Sequence, residues 1–198
     1  MKTKYFFLIA FFALFSTTIV SAQNTESLSG FISLTPDEMN SKGVALYKSG
    51  QYVEAVQFFK KAAEQGNALA QYNFGYCYEK GYGIEKNEEE AIKWYRKAAE
   101  QGYHNAQFEV GFYEFAKGVL DAMFSDIEEA TYHYKEAFKW YLKAAKQGHI
   151  EAQYQVGYCY EFGKGTAKNL DEAIKWYKKA AEQGHMEAKE VLQKLQNR

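Results

Sequence analysis

The chain has 198 residues, of which 17 are Tyr, 15 Phe and 3 Trp. So many large apolar side chains exclude a disordered chain, which lacks the apolar surface to bury. The formal net charge is −1. Because the chain has neither an excess of basic residues nor a polybasic run, its composition does not indicate binding to nucleic acid or to a membrane surface.

The first 22 residues have the parts of a secretory signal peptide. Lys2 and Lys4 form a positive start, and residues 5–15 are an uninterrupted apolar run. Ser21 and Ala22 provide the small residues that a signal peptidase recognises, so we expect cleavage after Ala22. The alternative is an uncleaved membrane anchor, but the run is shorter than the roughly 20 residues that span a bilayer. We therefore predict an exported, periplasmic or secreted protein that does not span a membrane.

Residues 23–34 are polar and lack an apolar pattern, which predicts a flexible leader. The first helix is expected to begin at Thr35, a good N-cap residue. Pro36 stands at the first helical position and Glu38 three residues after the cap, as in a capping box.

A motif of Lys-Ala-Ala, one charged residue and Gln-Gly occurs four times. Its closing glycines are Gly66, Gly102, Gly148 and Gly184. An aromatic pair precedes each copy, and Ala-Gln-aromatic follows each of the first three. Self-similarity at this period is typical of helical repeat arrays. The predicted units are 35–67, 68–103, 104–149 and 150–185, followed by a capping helix at 186–198.

Each unit is predicted to contain two helices. In unit two, Phe74 and Tyr78 lie on one stripe of the first helix. Gly75 lies within that helix, where its missing side chain favours close approach of the partner helix. The second helix is expected to begin after Asn87, an N-cap, and to end at Gly102.

Unit three is ten residues longer than units two and four, and the extra residues lie within 115–136. The sequence from Ser125 to Glu128 predicts a capping box that starts the second helix about two turns early. The connector before this start contains four apolar residues, Val119, Leu120, Met123 and Phe124. They either fold back onto the array or form an exposed docking patch. Folding back is favoured because exposed apolar clusters are uncommon.

Units two and four carry a pattern that resembles the Sel-one-like repeat family, a branch of the tetratricopeptide superfamily. The pattern is Ala-x-x-x-aliphatic-Gly-x-x-Tyr, a Gly-x-Gly turn, and Ala-x-x-Trp-Tyr-x-Lys-Ala-Ala-x-Gln-Gly, with Phe74 or Val156 at the aliphatic place. The resemblance covers residues 41–195. Unit one departs from it at Phe58-Phe59, and unit three at Glu114 and in its missing Gly-x-Gly turn.

The resemblance implies an all-α fold. We expect a right-handed α/α superhelical solenoid of about four helix-pair repeats with a C-terminal capping helix. Proteins of this family hold other proteins together, so a protein or peptide partner is expected. We predict a monomer without a cofactor or a bound metal.

The resemblance also suggests where a partner binds. In tetratricopeptide-like arrays, residues two and six past the small opening alanine of the first helix point into the concave groove. Here all six are aromatic: Tyr72, Tyr76, Phe108, Phe112, Tyr154 and Tyr158. Val44 continues the row in unit one, and Glu79 and Glu161 lie one turn further, where they could select basic or amide groups. Alternatively, the rings pack on the neighbouring helix and only stabilise the stack.

Several chemical motifs are incomplete. Residues 157–165 contain glycines and Lys164, but their spacing does not match a phosphate-binding loop. His149 and His185 hold one place in successive units, where turn surface is favoured over a metal site.

Some cysteine-rich members of the resembled family have been described as penicillin-binding or β-lactam-hydrolysing, but the Ser-x-x-Lys motif is absent. A non-enzymatic scaffold is therefore predicted. A β-lactam- or peptidoglycan-interacting protein, including a weak hydrolase, and a glycan-binding module remain alternatives.

The two cysteines hold one position in units two and four. Cys77 and Cys159 are two units apart, whereas a disulfide needs Cα atoms within about 7 Å. Their place on apolar helices predicts buried, unpaired thiols. An intermolecular bridge or a reactive thiol is the alternative.

Overall fold

The computed structural model describes residues 34–197, so the predicted signal peptide and residues 23–33 of the leader lie outside the described residues. Within that range the backbone forms nine α-helices and no strand. They are α1 (Pro36–Lys48), α2 (Tyr52–Glu64), α3 (Ala68–Lys80), α4 (Glu88–Glu100), α5 (His104–Met123), α6 (Ile127–Lys146), α7 (Ile150–Phe162), α8 (Leu170–Glu182) and α9 (Met186–Gln196). A search of this part of the chain finds no helix with the length and apolar character needed to cross a membrane.

Each helix packs against the next helix along the chain, and α1 also contacts α3. Four helix pairs, α1–α2 to α7–α8, therefore form an array that α9 closes. This architecture confirms the predicted all-α helical repeat solenoid. In α9, Ala188 is buried, and Val191 and Leu195 pack against the same core cluster, as expected for the capping helix.

Local sequence signals set the helix ends. Thr35 and Glu38 form the predicted capping box. The side chain of Asn87 accepts the backbone N–H of Glu90 at the start of α4, and Asn169 does the same at the start of α8. Beyond the second helix of each unit, the closing glycine has a positive φ of 89° to 99°, a conformation that is unstrained for glycine.

The glycine within each first helix lets an aromatic ring of the second helix approach the backbone. A Cβ atom added to Gly75 would lie 2.9 Å from the ring of Tyr95. The same relation joins Gly157 to Tyr177, where the distance would be 2.7 Å. The predicted close approach is therefore confirmed.

Glutamine side chains link the two helices of a unit and also link one unit to the next. Gln107 is buried and donates to the carbonyl of Ala99, 3.2 Å away. It also accepts a 2.8 Å bond from Gln147. Equivalent bonds join Gln71 to Gln101 and Gln153 to Gln183 at 2.7 Å. The repeated Ala-Gln and Gln-Gly motifs thus have a shared structural role, since each pair satisfies polar groups between neighbouring helices.

Unit three is a longer helical hairpin. Both α5 and α6 have 20 residues, whereas α3, α4, α7 and α8 have 13 each. The predicted lengthening of the second helix is confirmed, but the prediction missed that the first helix is lengthened equally. Seven residues are two turns of a helix, so the added turns keep their faces in phase. Gly118 therefore repeats the close approach, with Tyr134 as its ring.

Two other predictions for unit three were wrong. The N-cap of α6 is Asp126, whose side chain accepts from Glu129, while Ser125 has a φ of 64° and belongs to the turn. The apolar residues do not fold back as a connector. Val119, Leu120 and Met123 continue α5, and Phe124 caps it. All four are exposed, Met123 by 75% and Phe124 by 78%, because the tip of the hairpin extends past the neighbouring units.

Both cysteines are buried, unpaired thiols, as predicted. Cys77 and Cys159 are fully buried and neither forms a disulfide. Burial raises the pKa of each thiol to about 12, so both are protonated at neutral pH. A protonated, buried thiol is a poor nucleophile.

Candidate functional site

The nine residues predicted to contact a partner lie on the first helices of the four units. We call their surface the first-helix face. It comprises Val44 on α1, Tyr72, Tyr76 and Glu79 on α3, Phe108 and Phe112 on α5, and Tyr154, Tyr158 and Glu161 on α7. Phe112 is 55% exposed and the other eight are half-buried. Their role in binding remains a prediction, but all nine are accessible in part.

The first ring of each pair packs against the following helices. Tyr72 lies 5.3 Å from Tyr95 and 5.1 Å from Tyr103, measured between ring centroids. Tyr154 stacks on His185 at 4.5 Å. Phe108 stacks on His149 in the same way, at 4.6 Å. These rings stabilise the array, which was the alternative considered for them.

The second ring of each pair is placed differently. Tyr76 has Tyr47 and Tyr82 as ring neighbours, at 6.4 and 6.1 Å. Tyr158 lies 5.9 Å from Phe115 and also contacts a residue at the end of its own helix. Beside Tyr76, a cleft of about 400 Å³ opens between α1 and α3. These second rings are therefore better placed than the first to contact a partner.

The two predicted carboxylates already accept hydrogen bonds within the array. Glu79 accepts from the hydroxyl of Tyr95 at 2.7 Å, and Glu161 from that of Tyr177 at 2.8 Å. Glu79 also pairs with Lys80. Both oxygens of Glu79 and one oxygen of Glu161 are thus engaged, which limits what either carboxylate can offer to a partner.

Unit three lacks this arrangement. Phe115 stands where the other units have Glu79 and Glu161. The hydroxyl of Tyr141, which corresponds to those of Tyr95 and Tyr177, is buried and has no hydrogen-bond partner among the residues that the structure describes. Phe115 instead packs on the Tyr141 ring, 6.3 Å between centroids.

Sequence reasoning missed Glu109, a carboxylate on this face that has no hydrogen-bond partner in the part of the chain that the structure describes. It lies on α5, half-buried among groups of the preceding unit. Burial, reinforced by the negative charge of Glu79, raises the pKa of Glu109 to about 7, while Lys80 opposes the shift. A signal was available, because the equivalent positions hold the neutral amides Asn73 and Gln155.

Glu109 lies at a cleft of about 410 Å³ between units two and three. The cleft is lined from α3 by Glu79, from α4 and its start by Glu88, Ala91, Ile92 and Tyr95, and from α5 by Glu109, Phe112, Tyr113, Ala116, Lys117 and Leu120. Lys117 and Leu120 belong to the added turns of α5. The added turns of unit three therefore extend the α5 wall of the cleft by these two residues.

The two histidines that hold one place in successive units cap the helices that follow them. The Nδ1 atom of His149 accepts the backbone N–H of Ala152, and that of His185 accepts the N–H of Ala188. His185 is buried, and its Nε2 lies 2.6 Å from the carboxylate of Glu151. The predicted surface location is wrong for His185, whose ring is buried against Tyr154. His149 is half-buried and stacks on Phe108.

Glu114, which replaces the usual tyrosine, belongs to a buried polar network. It pairs with Arg96 of α4 and lies 2.6 Å from Nδ1 of His133. His133 stands on the added turns of α6, so the substitution and the longer helix occur together. Between residues 34 and 197, no group of three or more His, Cys, Asp or Glu side chains is arranged to hold a metal ion.

Comparisons with known proteins agree with this architecture. A sequence model of the Sel1 repeat matches residues 38–67, 68–103, 104–149 and 150–185. Among solved structures, a Sel1 repeat protein from Oxalobacter formigenes is 40% identical with a TM-score of 0.64, and the match covers 77% of this chain and 59% of that one. A protective antigen present in uropathogenic Escherichia coli strains, which displays an SLR fold, is 30% identical with a TM-score of 0.65, covering 80% of this chain and 33% of that one.

A curated relative shares a shorter segment. The DAP3-binding cell death enhancer 1 of Rattus norvegicus is 42% identical over 48 residues, which are 24% of this chain and 9% of that protein. The chain therefore spans less than two thirds of each of these three relatives. Since the repeat pattern matches in all four helix pairs and recurs in both solved structures, the chain belongs to the Sel1 repeat family.

Proposed function

We propose that this protein is an exported, non-catalytic scaffold that binds an extended segment of a partner protein on the first-helix face. Sel1 repeats indicate a protein–protein interaction scaffold. We choose this face because partly exposed rings form a row along three successive first helices. Tyrosine combines an apolar body with a polar tip, so such rings can contact both side chains and backbone of a bound segment.

The second rings of the pairs are the best place to test this proposal. We expect the double variant Tyr76→Ala/Tyr158→Ala to lose partner binding, since a few aromatic side chains carry most of the energy of an interface, roughly 2 kcal/mol or more each. Isothermal titration with a peptide selected by the wild-type protein from a displayed random library measures the effect.

The matched control is Tyr132→Ala. Tyr132 is an exposed tyrosine on α6 that is not part of the first-helix face, so its removal should leave binding unchanged. Unaltered affinity in the double variant, at an unaltered melting temperature, would place the binding site elsewhere. A β-lactam turnover assay on the same preparation tests the hydrolase alternative.

A further inference from the structure

The cleft between units two and three combines an unpaired carboxylate with apolar walls. Among the described residues 34–197, Glu109 has no hydrogen-bond or ion-pair partner. Two further carboxylates, Glu79 and Glu88, also line the cleft. The side chains of Ile92, Phe112 and Leu120 supply apolar surface beside these acids. A half-buried carboxylate without a partner is costly, so a ligand that brings a positive charge gains by occupying the cleft.

Neither of the two lysines near Glu109 forms an ion pair with it. Lys80 is paired with Glu79 and its amine lies 5.6 Å from the centroid of the Tyr76 ring. Lys117 lines the cleft, but its amine lies 5.8 Å from the Tyr113 centroid. Of the three carboxylates that line the cleft, Glu79 is paired with Lys80 and Glu88 with Lys86. Within the part of the chain that the structure describes, Glu109 is the one of the three that is left unpaired.

We propose that this cleft receives a lysine or arginine side chain of the bound partner, with its methylenes against the apolar wall and its charged group at Glu109. The chemistry matches at both ends, because long basic side chains bury their stems while their charged ends pair with carboxylates. A cleft of about 410 Å³ is within the size range of ligand sites. The proposal rests on the proposed function and adds a chemical requirement to it, namely a basic residue in the partner.

Ionisation of the Glu109 carboxyl makes binding of a basic side chain depend on pH. The ionisable groups around it are Tyr72, Glu79 and Lys80 on α3, Tyr95 on α4, Tyr141 on α6, and, along the cleft, Glu88, Tyr113 and Lys117. Since the pKa of Glu109 is raised to about 7, the free protein carries the charge above that pH and loses it below. A cation binds the charged form, so affinity should rise about tenfold between pH 6 and pH 8.

The test is peptide selection with a matched pair of variants. The purified protein, the Glu109→Gln variant and the Glu100→Gln variant are each panned at pH 8 against one displayed library of random peptides. Glu100 is exposed and serves as the charge-matched control. We expect the wild type and the control to enrich peptides that share a lysine or arginine, and Glu109→Gln to lose that preference.

An enriched peptide then gives the quantitative readout. Replacing its shared lysine with norleucine should weaken binding at pH 8 by about tenfold or more, and the rise in affinity with pH should vanish in Glu109→Gln. Enriched peptides without a shared basic residue, or an unchanged preference in Glu109→Gln, would overturn the inference while peptide binding stands. Failure of the wild type to enrich any peptide would instead overturn the proposed function. Thermal melting of each variant verifies that the fold is intact.

Discussion

At the scale of single residues, units two, three and four differ in the hydrogen bonding of one buried tyrosine, which is Tyr95, Tyr141 or Tyr177. In units two and four its hydroxyl donates to a glutamate on the first helix, from Tyr95 to Glu79 and from Tyr177 to Glu161. In unit three the hydroxyl of Tyr141 is buried without a partner, because Phe115 occupies the place of the glutamate. The same side chain is therefore satisfied in two units and unsatisfied in the third.

This difference predicts opposite effects of the same substitution. Tyr177→Phe removes a hydrogen bond to a charged group and should lower the free energy of unfolding by roughly 1.5–3 kcal/mol. Tyr141→Phe removes a buried hydroxyl that makes no bond, so it should be close to neutral or stabilising. Urea unfolding of the two variants measures both. Equal losses would show that Tyr141 has a partner in solution.

At the scale of elements, unit three shows how a repeat accepts an insertion. Each helix of the pair gains two turns, and the loop between them shortens, so the packed faces keep their register. The contact between Gly118 and Tyr134 repeats the contact between Gly111 and Tyr141, seven residues closer to the tip of the hairpin on each helix. The result is a protruding hairpin whose tip is apolar and exposed.

A paired deletion tests whether this hairpin is separable from the array. Removing 117–123 from α5 and 127–133 from α6 leaves two helices of the standard length and retains Tyr134, whose backbone packs against the Gly165 turn of unit four. We expect the variant to fold cooperatively, with the helical signal in circular dichroism reduced by the deleted turns. Loss of cooperative unfolding would mean that the extension belongs to the core.

At the scale of the whole molecule, the units are joined by identical contacts rather than by one shared core. Gln107 and Gln153 each donate to a backbone carbonyl of the preceding unit, that of Ala99 and that of Ala145. Within residues 34–197, four core clusters follow one another along the array. In such a solenoid each unit contacts its neighbours only. A site can therefore form between two units, as the cleft beside Glu109 does.

Export of the whole chain remains a prediction. Cleavage after Ala22 should leave Gln23 at the N-terminus, because the segment before it has the charge, apolar core and small residues that a signal peptidase requires. Intact-mass spectrometry of the protein recovered outside the cytoplasm measures this. A mass that still includes residues 1–22 would contradict it.

The amino-acid sequence determined the architecture by itself. Repetition of short-range signals set the units, since caps at Thr35 and Asn87 and the glycines after each second helix act within one helical turn. Burial of Cys77 and Cys159 followed for the same reason, because a position shared by two units has the same surroundings in both.

Only the tertiary structure decided what lies between units. Local patterns could not show that α5 continues to Met123, since a short apolar stretch is compatible with either a connector or a helix. They also could not identify Glu109, whose raised pKa arises from burial and from Glu79 on a different helix. Both results depend on residues brought together by packing of one unit on the next, and a pattern confined to one helix does not contain that information.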